Sequence, residues 1–337
     1  MSESFSVIIP ARNAGQTLRA CLEAVFASDV VPDEVLVVND TSADKTLEIA
    51  NDFPCRVLEV KLQSGPMEPR FAGARAAQGR FLIFVDADVC VAPGSFRMML
   101  ERLRPSDGVA VTGALRRSSR IPGFFSAYKN EYMNYIFSSQ PRKSQFLYGS
   151  IWGIRKNAMI YFDTLKSPFG SLVSDSEMGI RLNRAGKVVV LELGLEVEHL
   201  KEYSGLRLIK NDFVIPFMFA RMLVSYWDPK RIREHGAFSH ASVWQVSGNL
   251  LAFFALGLMV VGGIAKNPSF FLGGVCFLIP VFIIWLPFVK RIAERGRLFA
   301  VQALCFLPID CAIMFLGMVS GFIYSLCRVR VGKGAES

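Results

Sequence analysis

The chain has 337 residues, room for one large domain or two modest ones, and 52% of them are hydrophobic. A mean hydropathy of +0.34 is too apolar for an ordinary water-soluble enzyme and places part of the chain in lipid. The formal charge of +9 does not mark a nucleic-acid binder, because no dense basic run with interleaved aromatics occurs in the first two thirds of the chain.

The cations gather instead beside apolar segments, at Lys230, Arg231 and Arg233, at Lys290, Arg291, Arg295 and Arg297, and at Arg328 and Arg330. Cytoplasmic flanks of membrane helices look like this, and such flanks also attract anionic lipid. Short apolar runs alternate with charged segments up to about residue 230, and long apolar runs take over from 242. A water-facing part is therefore expected to precede a membrane part. The seven cysteines show no Cys-x-x-Cys spacing and no nearby His, so they read as reduced small hydrophobes. The chain enters a strand almost at once, without a basic start or a signal-like apolar run, which predicts that the water-facing part stays in the cytoplasm.

In chain order, Phe5–Ile9 predicts a strand, and Pro10, Ala11, Arg12, Asn13 and Gly15 a polar turn. Leu18, Cys21, Leu22 and Val25 then recur at helical spacing. Glu34–Val38 is a second strand, ending in the polar run 39–44, and strand, helix, strand at this spacing is a right-handed crossover unit. A capped helix start at Asp44 and a strand over 55–60 follow. Phe81–Val85 is an unbroken apolar run of strand length, expected to lie buried on both faces of a sheet. These alternations predict a mostly parallel sheet with helices on its faces.

The central strand ends in Asp86-Ala-Asp88. Alternation along an extended chain points both carboxylates to one side, where they can share a divalent cation, or they cap the turn before Pro93-Gly94. The string Ser6-Val-Ile-Ile-Pro10-Ala-Arg-Asn13, then Glu34 to Asp40-Thr-Ser-Ala-Asp44, then Arg70-x-x-Gly73, then Asp86-Ala-Asp88, resembles family 2 glycosyltransferases of the GT-A fold over residues 4 to 225. That resemblance implies a Rossmann-like, mixed, mostly parallel α/β sheet with helices on both faces. It also implies a nucleotide pocket lined by Pro10, Ala11, Arg12, Asn13, Asp40, Arg70 and Asp86, and Mg2+ or Mn2+ held by Asp88 and Asp86. One departure is Asn39, where many relatives carry a second Asp. Arg75 reads as a residue of a solvated helix face or as a further contact.

Phe125, Tyr128, Tyr132 and Tyr135 fall on one helical stripe, either plain core or a wall for an acceptor. Tyr148 and Trp152 sit among small residues that allow close backbone approach, and a Trp face suits a sugar ring or acyl chain. Asp175 is a helix cap or, as the resemblance implies, the general base; capping by Ser174 would free it for that role. Ser174 stands where relatives usually have Glu, and Glu177 is a further acceptor-side candidate. A strand is expected over Lys187–Leu191. The resemblance makes His199 a candidate ligand of the metal or diphosphate, with Lys201 beside it, and gives His235 and His240 no role. The Gln-x-x-Arg-Trp motif of processive synthases is missing, which favours transfer of a single sugar.

The expected division is a catalytic domain over 1–205, an amphipathic interfacial segment over 206–240 broken by Pro216, and a transmembrane region over 241–330. Spans are expected near 241–265, 270–289 and 298–327, the last as one tilted span or as an interfacial helix followed by a span from about Ile309. Asp310 must be paired or lie at the membrane boundary. The implied enzyme is a multi-pass inner- or plasma-membrane protein, moving a sugar from a UDP- or GDP-sugar to a lipid or lipid-linked hydroxyl. The alternatives are transfer to a polyprenyl phosphate, or a non-catalytic nucleotide-sugar-binding membrane protein.

Overall fold

The computed structural model describes residues 4–61, 65–105, 108–162, 169, 173–227, 237–238 and 241–333. The expected basic run Lys230, Arg231 and Arg233, together with His235 and His240, lies outside the described residues, as do the side chains of Arg328 and Arg330. The chain divides into two compact units, one of residues 1–122 and 133–202, the other of residues 123–132 and 203–337.

In the first unit, β1 (Phe5–Ala11), α1 (Leu18–Phe26), β2 (Glu34–Asp40), α2 (Thr46–Asn51), β3 (Arg56–Val60), α3 (Met67–Ala76) and β4 (Phe81–Val85) follow in turn. After them come β5 (Val89–Cys90), α4 (Ser95–Leu103), β6 (Gly108–Leu115), β7 (Lys143–Ser144), β8 (Ile151–Arg155), α6 (Ser174–Arg184) and β9 (Val188–His199). Helix α5 (Phe124–Ser138) has its first part in the second unit.

The described strands form a nine-stranded sheet in the order β3-β2-β1-β4-β8-β6-β9-β5, with β7 beside β9. β3, β2, β1 and β4 run parallel, while β8 is antiparallel to both β4 and β6. This is the expected α/β class, and its physical basis is alternation within the apolar runs. Val7, Ile9, Val35, Val37, Ile83 and Val85 pack on one face with Leu18, Cys21, Leu22 and Val25 of α1. Ile8, Leu36, Val38, Leu82 and Phe84 pack on the other, against α3 and α6. Strand β8 and its neighbour β6 were not anticipated. Trp152, expected to face an acceptor, is instead fully buried in β8, stacked on Phe84 with ring centroids 3.9 Å apart.

Helix α3 reaches the sheet because Gly73 has no side chain: a Cβ there would stand 2.5 Å from Ile8 Cγ2 and 3.0 Å from Val38 Cγ2. The spacing Arg70-x-x-Gly73 thus brings Arg70 down onto the ends of the strands.

The second unit holds α7 (Gly205–Ser225), α8 (Val243–Ile264), α9 (Pro268–Ile284), α10 (Leu286–Ala293) and α11 (Arg297–Lys333). Helices α8 and α11 are long and apolar enough to cross a membrane, α11 continuing unbroken past Pro308, which answers the open question of one helix or two. The span expected over 270–289 is broken instead, α9 and α10 meeting at a 79° bend. Pro287 at the start of α10 offers no N–H to the preceding turn and disfavours helix at Leu286.

Gly317 and Gly321, one turn apart on α11, let α7 cross at close range: a Cβ on either would lie 2.2 Å from the carbonyl oxygen of Phe213 or Phe217. Asp310 is paired as expected, its Oδ2 accepting from the Tyr128 hydroxyl at 3.1 Å, and it is buried among helices. Tyr128 and Tyr132 are core here, packed on Phe288 and Phe306 or Trp285, which removes them as an acceptor wall.

Gly73→Leu should cost about 1–3 kcal/mol by forcing α3 off the sheet. Thermal unfolding in detergent reads this, and a melting point equal to wild type would contradict the close contact.

Candidate active site

The site lies at the carboxyl ends of β1, β2 and β4, where open α/β sheets gather ligands. Two turns, one after β1 and one after β2, are stitched together by side chains. Asn13 N–H donates to Ser42 Oγ at 3.0 Å, Ala43 N–H to Asn13 Oδ1 at 2.9 Å, Ala14 N–H to Thr46 Oγ1 at 2.7 Å and Gly15 N–H to Asp44 Oδ2 at 2.8 Å. Burial raises the Asp44 carboxyl pKa, but the bonds from Thr46 and Gly15 outweigh it and hold the group below its ordinary value. Asn39 accepts from Ser42 N–H at 3.4 Å, so the residue that departs from the family pattern supports the second turn.

Asn13 and Thr41 both adopt positive φ, 50° and 54°, and for a β-branched Thr that conformation is strained. Pro10 and Ala11 are buried in β1, Asp40 is buried at the end of β2, and Arg12 and Asn13 are exposed at the rim. The expected nucleotide residues therefore sit together, and Asp44 and Thr46 are supports that sequence reading passed over.

Arg70 is buried, and its Nη2 donates both to Asp86 Oδ1 and, at 3.0 Å, to the Gly149 carbonyl. Burial pushes the Asp86 carboxyl up, against the pull of the Arg70 guanidinium, and Asp88 adds to the rise. Arg70 is thus held by the protein's own acceptors at the edge of the expected nucleotide pocket.

Strand β5 pairs antiparallel with the end of β9, setting Val89 opposite His199. Leu200 N–H donates to the Asp88 carbonyl at 2.7 Å, and His199 Nε2 lies 3.7 Å from Asp88 Oδ1. A residue far along the chain is thereby delivered to the Asp86–Asp88 turn. Among the described residues no group of three or more His, Cys, Asp or Glu is arranged to hold a metal ion. Asp86 Oδ1 accepts from Arg70, and Asp88 and His199 are the neighbouring donors that could take a divalent cation. Two protein ligands suffice where substrate phosphates complete the shell.

Asp175 stands in the first turn of α6, half-buried, with Oδ1 accepting from Ser176 N–H at 2.8 Å and Oδ2 from Gly149 N–H at 2.7 Å. The helix is capped by Val173 without a side-chain bond, so the expected Ser174 cap is not formed. Burial raises the Asp175 carboxyl to about 6, partly offset by the Ser176 N–H and Arg70. A carboxylate so tuned can take a proton near neutral pH.

The acceptor-side candidates fare differently. Glu177 is buried and ion-paired with Arg181 at 3.0 Å, and so does not face an acceptor. Tyr148 is half-buried against Phe137, with its N–H on Thr112 Oγ1 at 2.8 Å.

Residues 6–162 match the model of glycosyl transferase family 2. Over these residues the chain is similar to that family, and its sheet has the GT-A fold. The chain is 32% identical over 103 residues to the uncharacterized glycosyltransferase YibD of Escherichia coli K12, an alignment covering 29% of this chain and 30% of that one. It is 35% identical over 98 residues to the succinoglycan biosynthesis protein ExoO of Rhizobium meliloti, covering 28% of each. The chain thus spans about a third or less of the length of these relatives. Among solved structures it resembles the mannosyltransferase PcManGT of Pyrobaculum calidifontis, in complex with GDP-Man and Mn2+, with TM-score 0.56, 16% identity and coverage of 96% of this chain and 86% of that one. It also resembles glucosyl-3-phosphoglycerate synthase of Mycobacterium tuberculosis, with TM-score 0.50, 16% identity and coverage of 68% and 82%. Both likenesses are of fold.

Arg70→Met should cost the protein about 2–3 kcal/mol, less than a fully buried broken pair because Asp86 keeps water contact. Thermal unfolding tests this; an unchanged melting point would mean that Asp86 does not depend on Arg70.

Proposed function

We propose that the chain is a membrane-anchored, inverting glycosyltransferase that moves one sugar from a nucleoside-diphosphate sugar to a hydroxyl of a lipid or lipid-linked acceptor. The observation that carries this reading is Asp175, held by two backbone N–H groups, raised to about 6, and linked through Gly149 and Arg70 to Asp86. That chain of contacts supports a base and donor-side carboxylates that serve one site.

The paired turns of β1 and β2 receive the nucleotide. Asp88 and His199 hold Mg2+ or Mn2+, which when bound offsets the negative charge gathering on the departing diphosphate. Asp175 accepts the proton of the acceptor hydroxyl as that oxygen bonds to the anomeric carbon from the face opposite the diphosphate. The sugar–phosphate bond breaks, and the nucleoside diphosphate leaves with the electron pair. One displacement inverts the anomeric centre. The mannosyltransferase neighbour's complex with GDP-Man and Mn2+ supports a donor of this class.

In this reading helices α8 and α11 are the anchor, and the four cations at 290–297 support a cytoplasmic side for the loop that carries them. An enzyme fixed at the bilayer meets lipid-borne acceptors without a search through solution. An acceptor phosphate is already ionised and needs no base; the tuned Asp175 favours a hydroxyl.

Turnover should fall about tenfold per pH unit below 6, as Asp175 takes up its own proton, and level off above. Asp175→Asn should lower kcat about 100-fold. Nucleoside diphosphate release from a panel of UDP- and GDP-sugars, with bacterial lipid extract as acceptor, measures both. Asn at 175 with wild-type turnover would overturn the hydroxyl reading in favour of a phosphate acceptor.

The metal assignment has its own test. Mn2+ should increase the thermal stabilisation given by UDP or GDP in the wild-type protein but not in Asp88→Asn. An equal Mn2+ effect in both proteins would remove Asp88 from the metal site.

A further inference from the structure

We propose that Gly149 is a positioning residue whose backbone N–H and carbonyl, on the two peptides that meet at its Cα, set the general base against the donor site, and that it must be glycine because the base occupies the space of a side chain. The inference rests on the reading of Asp175 as base. It is carried by contacts that the Arg70, Asp86 and Asp175 motifs do not reveal.

The Gly149 N–H donates to Asp175 Oδ2 at 2.7 Å, while its carbonyl accepts from Arg70 Nη2 at 3.0 Å. The same Nη2 donates to Asp86 Oδ1, and Asp86 N–H donates to the neighbouring Ser150 carbonyl at 3.1 Å. The N–H and the carbonyl belong to the two planar, stiff peptides that meet at the Gly149 Cα, and each plane is held by one of these contacts, so together they fix the turn at that residue. The turn is itself pinned: Thr112 Oγ1 accepts from Tyr148 N–H at 2.8 Å and donates to the Ile151 carbonyl at 3.2 Å. Asp86 at the end of β4 and Asp175 on α6 are thus held in register through Arg70 and one turn of chain.

The reason for glycine is space rather than conformation. Gly149 is not among the positive-φ glycines of the described residues, so an alanine could adopt its backbone. A Cβ there would stand 2.9 Å from Asp175 Oδ2, 3.5 Å from Asp175 Cγ and 3.5 Å from Arg70 Nη2. The methyl can be accommodated only by swinging the carboxylate away, which moves the proton acceptor and leaves the nucleotide turns of β1 and β2 untouched.

The test is Gly149→Ala in the full chain, with Gly94→Ala, where a Cβ meets nothing within 4 Å, as the control. Nucleoside diphosphate release is measured with the UDP- or GDP-sugar that supports wild-type turnover. Gly149→Ala should lower kcat about 10- to 100-fold, the scale of a misplacement near 1 Å, with donor KM within about twofold of wild type. Thermal stabilisation by UDP or GDP should persist, which a general loss of structure would not allow. Turnover within about twofold of wild type would overturn the proposal, as would a rise in donor KM that accounts for the whole loss. Should Gly149→Ala fail to fold, Arg70→Lys replaces it: an ammonium there cannot keep the guanidinium's geometry to both Asp86 and the Gly149 carbonyl, and kcat should fall at least about tenfold. Full kcat in that variant would equally overturn the proposal. Asp175→Asn separates the two ideas: if it keeps turnover the base reading fails, and if it loses turnover while Gly149→Ala keeps it, only the positioning role fails.

Discussion

A guanidinium taken out of water must find acceptors, and in this fold the buried Arg70 finds them in Asp86 and the Gly149 carbonyl. That requirement organises the first unit. Helix α3 must come close enough to lower Arg70 to the strand ends, which Gly73 permits. Strand β4 must end at Asp86, and the turn before β8 must offer its carbonyl to the same nitrogen. The turn's N–H is then left to face α6, where it meets Asp175. One buried cation thereby draws together residues from α3, β4, the β8 turn and α6.

The sequence is legible where its period is local. The strands β1, β2 and β4 and the face of α1 follow from alternation and helical spacing, because each apolar run is buried by neighbours that impose the same period. Asp40, Asp86, Asp88 and Asp175 are found because carboxylates at strand or helix ends carry both a turn reading and a chemical one. Long-range pairing is not legible. Nothing near Asp88 in the chain announces that β5 will pair with β9 and bring up His199. Trp152 shows a converse failure: an indole that fills a core and one that faces a sugar are the same letter, and only the stacking partner Phe84 decides. Glu177 read as an available acid because its partner Arg181 was not weighed as an i,i+4 neighbour. Gly149 carried no signal beyond being small.

The second unit holds two helices long and apolar enough to cross a membrane. Apolar length alone predicted a second span, yet Pro287 breaks it, since a helix that loses an N–H and a favourable backbone conformation bends. Its buried charges are matched: Lys129 pairs with Asp212, and Glu131 accepts from Arg291 at 3.1 Å and from Arg295 at 3.5 Å. Where α11 meets α7, Gly317 and Gly321 replace side-chain packing with backbone contact. Helix association of this kind rests on close backbone contact rather than on a hydrophobic drive. Part of the basic segment that marked orientation in the sequence, Arg291 and Arg295, is thus also a structural partner of a buried acid.

The account's central claim is spatial: a donor site built on Asp88 and His199 and a proton acceptor at Asp175 share one cleft. The most direct measurement is a structure of the full chain with Mn2+ and a nucleoside diphosphate, the metal located by its anomalous scattering. The account predicts Mn2+ bound by Asp88 and His199 with the diphosphate on it, the base seated by the β1 and β2 turns, and Asp175 facing the terminal phosphate across an open gap. Mn2+ bound elsewhere, or Asp175 walled off from the diphosphate, would contradict it.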